Sequence, residues 1–561
     1  MRIYNQERKL QIPRDVNLTE LLHKTHKELP LSHVIASDSL TNRSITIGQL
    51  RDRAGRLARG FSQTLQPPDQ SRWAIILPNS VDFLELVHAI IWTGGVACPI
   101  NHALKSTEIG HGLAVCQPAF IVAYGQILSS VEEAIAVARD ELVREGVEWA
   151  APKVITIIEK PSASTLPHIP ADFLSEASLP VPHYEDNSAR VATIHLSSGT
   201  TGKPKGVMLT HRNFIANVFQ LLAHDSSQFH SASRTVAFTP WAHIAMTTMP
   251  LFLAPYTGMF HHAMPQYNLE KFAQLVSSVQ ATSFQGVPSV VLSLAKSDVT
   301  DRHDFSRASI LNVGGAPLKK ADLAKLMSRA PWRLIQAYGM TEAAGYVAYQ
   351  TFDESLPDGC TGNMLPGIEA RLMVEGKNEE APEGGPGELW LRGPNITSGY
   401  VFNEEANQKA FPEPGWYNTG DVCKIDSQGR LFIVGRTKDL IKYKGFQVSP
   451  QELESYLNSH PLVAEAGVAA LWDESQLTEL PTAWVILKPD SAKGNSKERT
   501  NALKIIQKAI DSQVSGYKKL RGGVWEVSRL PKNATGKILR KEMAEMRAGL
   551  CSIDETIYSK L

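Results

Sequence analysis

Between Thr193 and Val207 the chain reads Thr-Ile-His-Leu-Ser-Ser-Gly-Thr-Thr-Gly-Lys-Pro-Lys-Gly-Val, and this stretch narrows its possible folds more than any other. An apolar β-type run, Val191 to Leu196, enters a loop made of hydroxyls and glycines. Glycine lets a backbone curl around an anion, and successive N–H groups then form a nest for phosphate. Lys203 and Lys205 add positive charge. The spacing is not the GxxxxGK[ST] of ordinary nucleotide triphosphatases, because Pro204 stands where Ser or Thr would be needed. The strand before it, and a helix expected to open near Asn213, set it apart from a flexible Gly/Ser linker. Alone, the loop predicts phosphate binding and leaves the reaction open.

A chain of 561 residues exceeds one ordinary core, so two to four domains or subdomains are expected. Residues 1–190 alternate helix and strand. Helical spacing runs over Ser44 to Gln63, Asp82 to Thr93 and Ser129 to Arg144. Short β-rich runs cover Arg72 to Leu77, Val96 to Pro99 and Lys153 to Ile158. That alternation predicts α/β layers. Further strands at Thr235 to Thr239, from Thr282, at Ile310 to Val313 and at Leu334 to Ala337 each end in small or polar residues, His243 among them. Convergence of those ends at one crevice is the economical reading. From Gly362 the pattern becomes antiparallel β without long helices. A charged joint, Gly435 to Leu440, precedes a small α+β region. The expected division is therefore 1–434, a joint at 435–440, and 441–561. The fold class is α/β: two sheet subdomains and a β subdomain, followed by a small α+β domain.

Lys plus Arg and Asp plus Glu balance at 57 each, which gives no argument for a nucleic-acid partner or an acidic membrane. Cys98, Cys116, Cys360, Cys423 and Cys551 form no CxxC pair, so neither a disulfide framework nor a zinc site is expected. The most apolar stretch, Phe83 to Ile100, is broken by Glu85, His88, Gly94 and Gly95, and reads as a buried helix running into a strand rather than a membrane span. The chain closes on Ser559-Lys560-Leu561, a tripeptide of the kind read by the peroxisomal import receptor.

Five blocks, Ser-Ser-Gly-Thr-Thr-Gly-Lys-Pro-Lys-Gly (197–206), Tyr-Gly-Met-Thr-Glu (338–342), Tyr-Asn-Thr-Gly-Asp (417–421), Gly-Arg-Thr-Lys-Asp-Leu-Ile-Lys (435–442) and Gly-Lys-Ile-Leu-Arg (536–540), resemble the successive signatures of the adenylate-forming superfamily. That superfamily includes acyl-CoA synthetases, firefly-luciferase-like enzymes and peptide-synthetase adenylation domains. Gly445-Phe446-Gln447-Val448 and Gly315-Ala316-Pro317-Leu318 most resemble its 4-coumarate–CoA ligase and luciferase branch. The resemblance implies two half-reactions. A carboxylate attacks the α-phosphorus of ATP to give acyl-AMP and pyrophosphate, and a thiol, usually that of coenzyme A, then displaces AMP. Splitting one hard step through a high-energy intermediate makes chemical sense for a poor acyl donor.

The same resemblance assigns roles. Ser197, Ser198, Gly199, Thr200, Thr201, Gly202, Lys203 and Lys205 would hold the β- and γ-phosphates. Thr341 would meet the α-phosphate and Glu342 would help bind Mg²⁺. Gly315, Ala316, Pro317, Gln336, Tyr338 and Gly339 would surround the adenine, and Asp421 would accept from the ribose hydroxyls. Arg436 would assist at ribose or phosphate. Lys537 would be the adenylation lysine, bridging carboxylate and α-phosphate. Lys442, Lys444, Gly445 and Gln447 would serve the CoA step after rotation about a hinge matched by Lys438. His243, Ala245, Met246, Gly286, Gly314 and Ala337 would line the acyl pocket. Ala337 stands where 4-coumarate–CoA ligases carry Gly, and Ala245 and Met246 replace their usual Tyr and Ser. An aliphatic or aryl-alkanoic acid is thus as plausible as a hydroxycinnamate. Loading of a carrier protein in a secondary-metabolite assembly line, and luciferase-like oxygenation, stay open as alternatives. A degenerate nucleotide-binding module would need a broken loop or a lost Lys537, and neither is seen.

Overall fold

In a computed structural model, the described residues are 2–6, 8–160, 164–197, 204–286, 290, 293–294, 297–313, 332–357, 359–436, 439–443, 446–474, 476, 478–514, 516–532, 538–546 and 549–552. The chain forms two compact units. One comprises 1–371, 390–418 and 425–431; the other comprises 372–389, 419–424 and 432–561. The strands Glu369–Met373, Gly387–Arg392, Tyr417–Ile425 and Arg430–Arg436 each contribute residues to both.

The first unit holds an eight-stranded sheet in the order Gly399–Tyr400, Lys205–Thr210, Val191–Ser197, Val96–Pro99, Arg72–Ile76, Phe120–Tyr124, Lys153–Ile157, His168–Ile169. From Val191–Ser197 onward neighbouring pairs are parallel, as helices on the sheet faces require. The helix Val81–Trp92 is buried on every face, which explains its near-continuous apolar run. Its three polar side chains have partners: Asp82 pairs with Arg43 at 2.7 Å. Glu85 pairs with Arg43 and Arg53, and His88 Nε2 donates to the carbonyl of Leu251 at 2.8 Å. Among the described residues no helix is long and apolar enough to cross a membrane.

The second sheet of this unit runs Ser44–Thr46, Val34–Asp38, Phe260–Ala263, Arg234–Ala237, Ser283–Gly286, Ile310–Val313, Arg333–Met340, Gly345–Tyr349, Cys360–Met364. Its central pairs are parallel. The other unit packs the helices Pro450–Asn458 and Ser496–Asp511 around a sheet of Val463–Asp473, Thr478–Leu487 and Val524–Glu526, over a core that includes Leu453, Leu457, Val485, Leu503 and Ile506. The fold class is the α/β arrangement read from the sequence, with its α+β appendage.

Two elements differ from expectation. Between the glycine-rich segment and the helix expected near Asn213 lies a strand that the sequence reading did not name: Lys205–Thr210 pairs antiparallel with Val191–Ser197, Lys205 opposite Ser197. The helix follows as His211–Asp225, capped by Thr210, whose hydroxyl accepts from the Asn213 N–H at 3.2 Å. The strand expected to stop at Ala337 runs on to Met340. It does so by slipping register between Tyr338 and Gly339, where a Cβ on Gly339 would lie 1.8 Å from the carbonyl oxygen of Gly345. Only glycine fits there.

Burial of imidazoles makes the first unit acid-sensitive. Burial lowers the pKa of His88 and His195 to about 4, and of His211 and His261 to about 3. Unfolded imidazoles titrate near 6.5, so between there and the folded values the unfolded chain binds more protons. Stability held above pH 6.5 should fall as pH drops, by about 1.4 kcal/mol per pH unit for each such histidine. A thermal-unfolding midpoint that stays level from pH 7 to pH 4.5 would contradict this.

Candidate active site

Because Arg234–Ala237, Ser283–Gly286, Ile310–Val313 and Arg333–Met340 are parallel neighbours, their carboxyl ends stand along one edge of the sheet. This is where α/β sheets place ligands. Past the first strand, the turn to Trp241 is fixed by Asn79. Its side-chain N–H groups donate to the carbonyls of Thr239 (3.0 Å) and Met264 (3.2 Å), and its Oδ1 accepts from the Trp241 N–H (2.8 Å). His195, on the strand that enters the glycine-rich loop, donates from Nδ1 to the Ala242 carbonyl at 3.2 Å. The phosphate strand and the His243 turn are therefore in direct contact.

His243 is accessible to solvent but recessed among protein atoms, and that desolvation holds its pKa below the usual imidazole value. It precedes a short helical turn, Ile244–Met246, that widens into a π-type helix over Thr247–Leu253 containing Pro250. Proline lacks the N–H an α-helix would use, and widened turns often mark functional sites. Ala245 is half-buried, Met246 and Gly286 are buried, and Ala337 is half-buried beside Tyr349.

Across the edge, Thr341–Ala343 forms a tight turn held from three sides. Thr248 Oγ1 donates to the carbonyl of Ala344 at 2.6 Å, Asn395 Nδ2 to that of Ala343 at 2.9 Å, and the Thr397 N–H to that of Glu342 at 2.8 Å. The turn presents Glu342, whose residue is only 9% exposed. The hydroxyl of Tyr400 donates to Glu342 Oε1 at 2.9 Å and lies 3.2 Å from the hydroxyl of Tyr417. Burial, then the charge of Glu342, push the Tyr400 pKa far up, so the phenol stays a neutral donor. The ammonium of Lys205 sits over the Tyr400 ring, 4.8 Å from its centroid. One tyrosine thus connects the base of the glycine-rich loop to the buried carboxylate. Ser197 is buried opposite Lys205, Thr341 and Gln336 are half-buried, and Tyr338 is buried. Gln336 is tied to Gln350, whose Oε1 accepts from the Gln336 N–H at 3.1 Å.

In the other unit, Asp421 is 2% exposed and accepts from Arg436 Nε at 2.8 Å. Lys442 lies on the hairpin Ile441–Tyr443 and Phe446–Val448, its ammonium 3.2 Å from Glu375. Arg540 is gripped from three sides. One of its terminal nitrogens stands 2.8 Å from both oxygens of Glu454, the other 3.5 Å from Asp439, and Nε donates to the Val468 carbonyl at 3.1 Å. Ile538 bridges to Lys532, and the Leu539 N–H donates to the Pro531 carbonyl at 2.9 Å.

Several sequence-derived site residues lie outside the described residues: Ser198, Gly199, Thr200, Thr201, Gly202, Lys203, Gly314, Gly315, Ala316, Pro317, Lys438, Lys444, Gly445, Lys537, Ser559, Lys560 and Leu561, together with the side chain of Gln447. Sequence reasoning overlooked Asn79, His195 and Tyr400. Their signal was faint: an Asn in the turn between a strand and a helix, a His inside an apolar strand, and a Tyr whose hydroxyl must find a partner if buried.

Residues 24–401 match the AMP-binding enzyme family, and residues 452–537 its C-terminal domain. The 4-coumarate–CoA ligase-like 9 of Arabidopsis thaliana is 32% identical over 92% of this chain and 87% of its own length. The 4-coumarate–CoA ligase 5 of Oryza sativa subsp. japonica is 30% identical over 91% and 92%. Among solved structures, ATP-bound MatB from Rhodopseudomonas palustris superposes with a TM-score of 0.79 at 25% identity, covering 94% of this chain and 99% of that one. The anthranilate CoA ligase AuaEII with anthranoyl-AMP, at 23% identity and a TM-score of 0.80 over 96% and 99%, shares the fold. A phosphate-type loop closed by antiparallel strands, a buried carboxylate beside it and family matches along most of the chain lead to one conclusion: the protein belongs to the AMP-binding enzymes, as an AMP-forming acyl-CoA synthetase.

Proposed function

We propose that this ATP-dependent acid:CoA ligase activates an aliphatic or aryl-alkanoic acid, which it binds at the strand edge that carries His243, Gly286 and Ala337. The observation that carries the reading is the buried Glu342, oriented by Tyr400 beside Lys205. A nucleoside triphosphate brings Mg²⁺, an ion that keeps most of its waters and takes one or two carboxylates plus substrate phosphates. The residues fit that habit. Among the described residues no cluster of three or more His, Cys, Asp or Glu could cage a metal, and Glu342 supplies a single acidic contact. When bound, the ion offsets charge on the phosphates.

The remaining work belongs to the chain. The glycine-rich segment and Lys205 take the phosphates. His243, neutral at working pH because it is desolvated, faces the acid without adding a like charge to the nucleotide's cationic contacts. Asp421, steadied by Arg436, receives the ribose hydroxyls. Lys537 carries the attacking carboxylate to the α-phosphate, and for the second step rotation near Lys438 exchanges it for the Lys442 hairpin. Ala245 in place of a larger side chain gives room on one wall, and the Ala337 methyl narrows the floor.

The test is pyrophosphate release over a panel of carboxylic acids, with and without CoA. Acid-dependent release accompanied by an acyl-CoA is expected. An acyl group that passes only to a phosphopantetheinyl carrier protein, or oxygen uptake with the adenylate, would replace the CoA reading. Asp421→Asn should raise the ATP KM about 10- to 100-fold, since it removes a charge-assisted acceptor. An unchanged KM would take Asp421 out of the nucleotide site. Ser559-Lys560-Leu561 supports a peroxisomal address. Full-length protein lacking that tripeptide should then stay outside peroxisomes in fluorescence microscopy.

A further inference from the structure

The helix Ser106–Cys116 packs against the strand that leaves the glycine-rich segment, and one of its side chains reaches that segment's backbone. The side chain is His111. Its Nε2 donates to the carbonyl of Pro204 at 3.2 Å. Its Nδ1 stands 3.1 Å and 3.2 Å from the two oxygens of Glu141, on the neighbouring helix Leu128–Arg144. Carboxylate and carbonyl only accept, so the ring donates at both ends. The pair is largely withdrawn from water, its side chains 15% and 11% exposed. Burying such a pair adds little net stability. What this one adds is direction, since Glu141 aims the far side of the ring at a single carbonyl.

The helix is keyed to its neighbours on both sides. Val115, one turn after His111, packs on Gly206, where a Cβ would lie 2.9 Å from Val115 Cγ1. Four helical residues advance about 6 Å, and two strand residues about 6.6 Å. His111 at Pro204 and Val115 at Gly206 are therefore matched steps along two elements in contact. On the other side Gly110 meets the helix that carries Glu141. A Cβ there would fall 2.7 Å from Val137 Cβ and 2.8 Å from the Ala134 carbonyl oxygen. Neither glycine can take a side chain unless its neighbours shift. His111 is thus presented to Pro204 from a fixed platform.

Pro204 joins the glycine-rich segment to the strand Lys205–Thr210. Proline has no N–H, so its carbonyl is the one polar group by which it can be held. The next residue, Lys205, is held separately, its ammonium over the Tyr400 ring. The backbone of one residue and the side chain of the next therefore have independent anchors. We infer that His111, steadied by Glu141, is a positioning residue for adenylation: it fixes the peptide from which Lys205 meets the β- and γ-phosphates. It acts through Pro204 and Lys205 rather than on the nucleotide itself. The inference rests on the glycine-rich segment and Lys205 taking the phosphates.

Nucleotide binding by the full-length enzyme, in the absence of any acid, tests it. One probe is α,β-methylene-ATP with Mg²⁺, which carries β- and γ-phosphates and cannot release pyrophosphate. The other is AMP, which has neither phosphate. Each Kd is read by calorimetry. His111→Leu should weaken the triphosphate about tenfold, the loss of one charge-assisted hydrogen bond, and leave AMP within about twofold. Glu141→Met is similar in length and has no acceptor. It should weaken the triphosphate about threefold, and the double variant should match His111→Leu alone, because the two residues act in series. A merely structural role would move both nucleotides together. Equal losses for triphosphate and AMP therefore overturn the positioning role, as does an unchanged triphosphate Kd in His111→Leu. Additive losses in the double variant overturn Glu141 as the anchor. Lys205→Ala tells the two failures apart. If it weakens the triphosphate while His111→Leu does not, the segment still takes phosphates and only His111 is dismissed. If neither variant weakens it, the phosphate role of the segment falls, and the inference with it.

Discussion

Lys537→Ala is expected to slow acid-dependent pyrophosphate release about 10²–10³-fold, the cost of losing one preorganised charge at a developing anion. The variant should still convert supplied acyl-AMP and CoA to the thioester at close to the normal rate. The asymmetry follows from where charge accumulates. In the first step a carboxylate approaches a triphosphate, and an ammonium between them offsets their repulsion. In the second step a neutral or thiolate sulfur meets a mixed anhydride, and the same ammonium has no comparable task. Among the described residues that follow it, Ile538 is bridged to Lys532 and Arg540 is held by Glu454. Single-turnover assays of each half-reaction separate the outcomes. Normal adenylate formation by the variant removes Lys537 from the first step, and loss of both half-reactions points to a general defect.

Glu342→Gln should lower the adenylation rate about 100-fold and raise the Mg²⁺ concentration needed for half-maximal rate. The substitution keeps the shape and removes the charge. It also leaves the Tyr400 hydroxyl, 2.9 Å away, with a neutral acceptor in place of an ionised one. Tyr400→Phe is the informative companion. It removes only the orienting hydrogen bond and should cost about tenfold. If Tyr400 works through Glu342, the double variant should lose little more than Glu342→Gln alone. Unchanged Mg²⁺ dependence in Glu342→Gln would dissociate this carboxylate from the metal.

The parts of the fold that were legible in the sequence are those decided locally. Val96–Pro99 and Ile310–Val313 are short apolar runs, each with a glycine at one end, and their limits match. Val81–Trp92 was legible as a buried helix because its length excludes a strand and its polar interruptions exclude a span. Lys205–Thr210 was not: it begins with a charge and a glycine, and becomes a strand only because Val191–Ser197 and Gly399–Tyr400 flank it. The site divides in the same way. Its motif residues could be named from their order along the chain. Tyr400 and Asn79 could not, since each acts on residues 58 and 162 positions away.

The triple grip of Arg540 carries a lesson for anyone who trades parts between relatives. Its guanidinium touches Asp439, Glu454 and the carbonyl of Val468, side chains and backbone spread over a hundred positions of sequence. A splice placed just after Leu440 would import a foreign arginine to an aspartate it never met, or leave Asp439 facing nothing suitable. Crossovers upstream of Gly435 keep all three contacts in one parent, and should give hybrids whose reactive tip remains properly mounted.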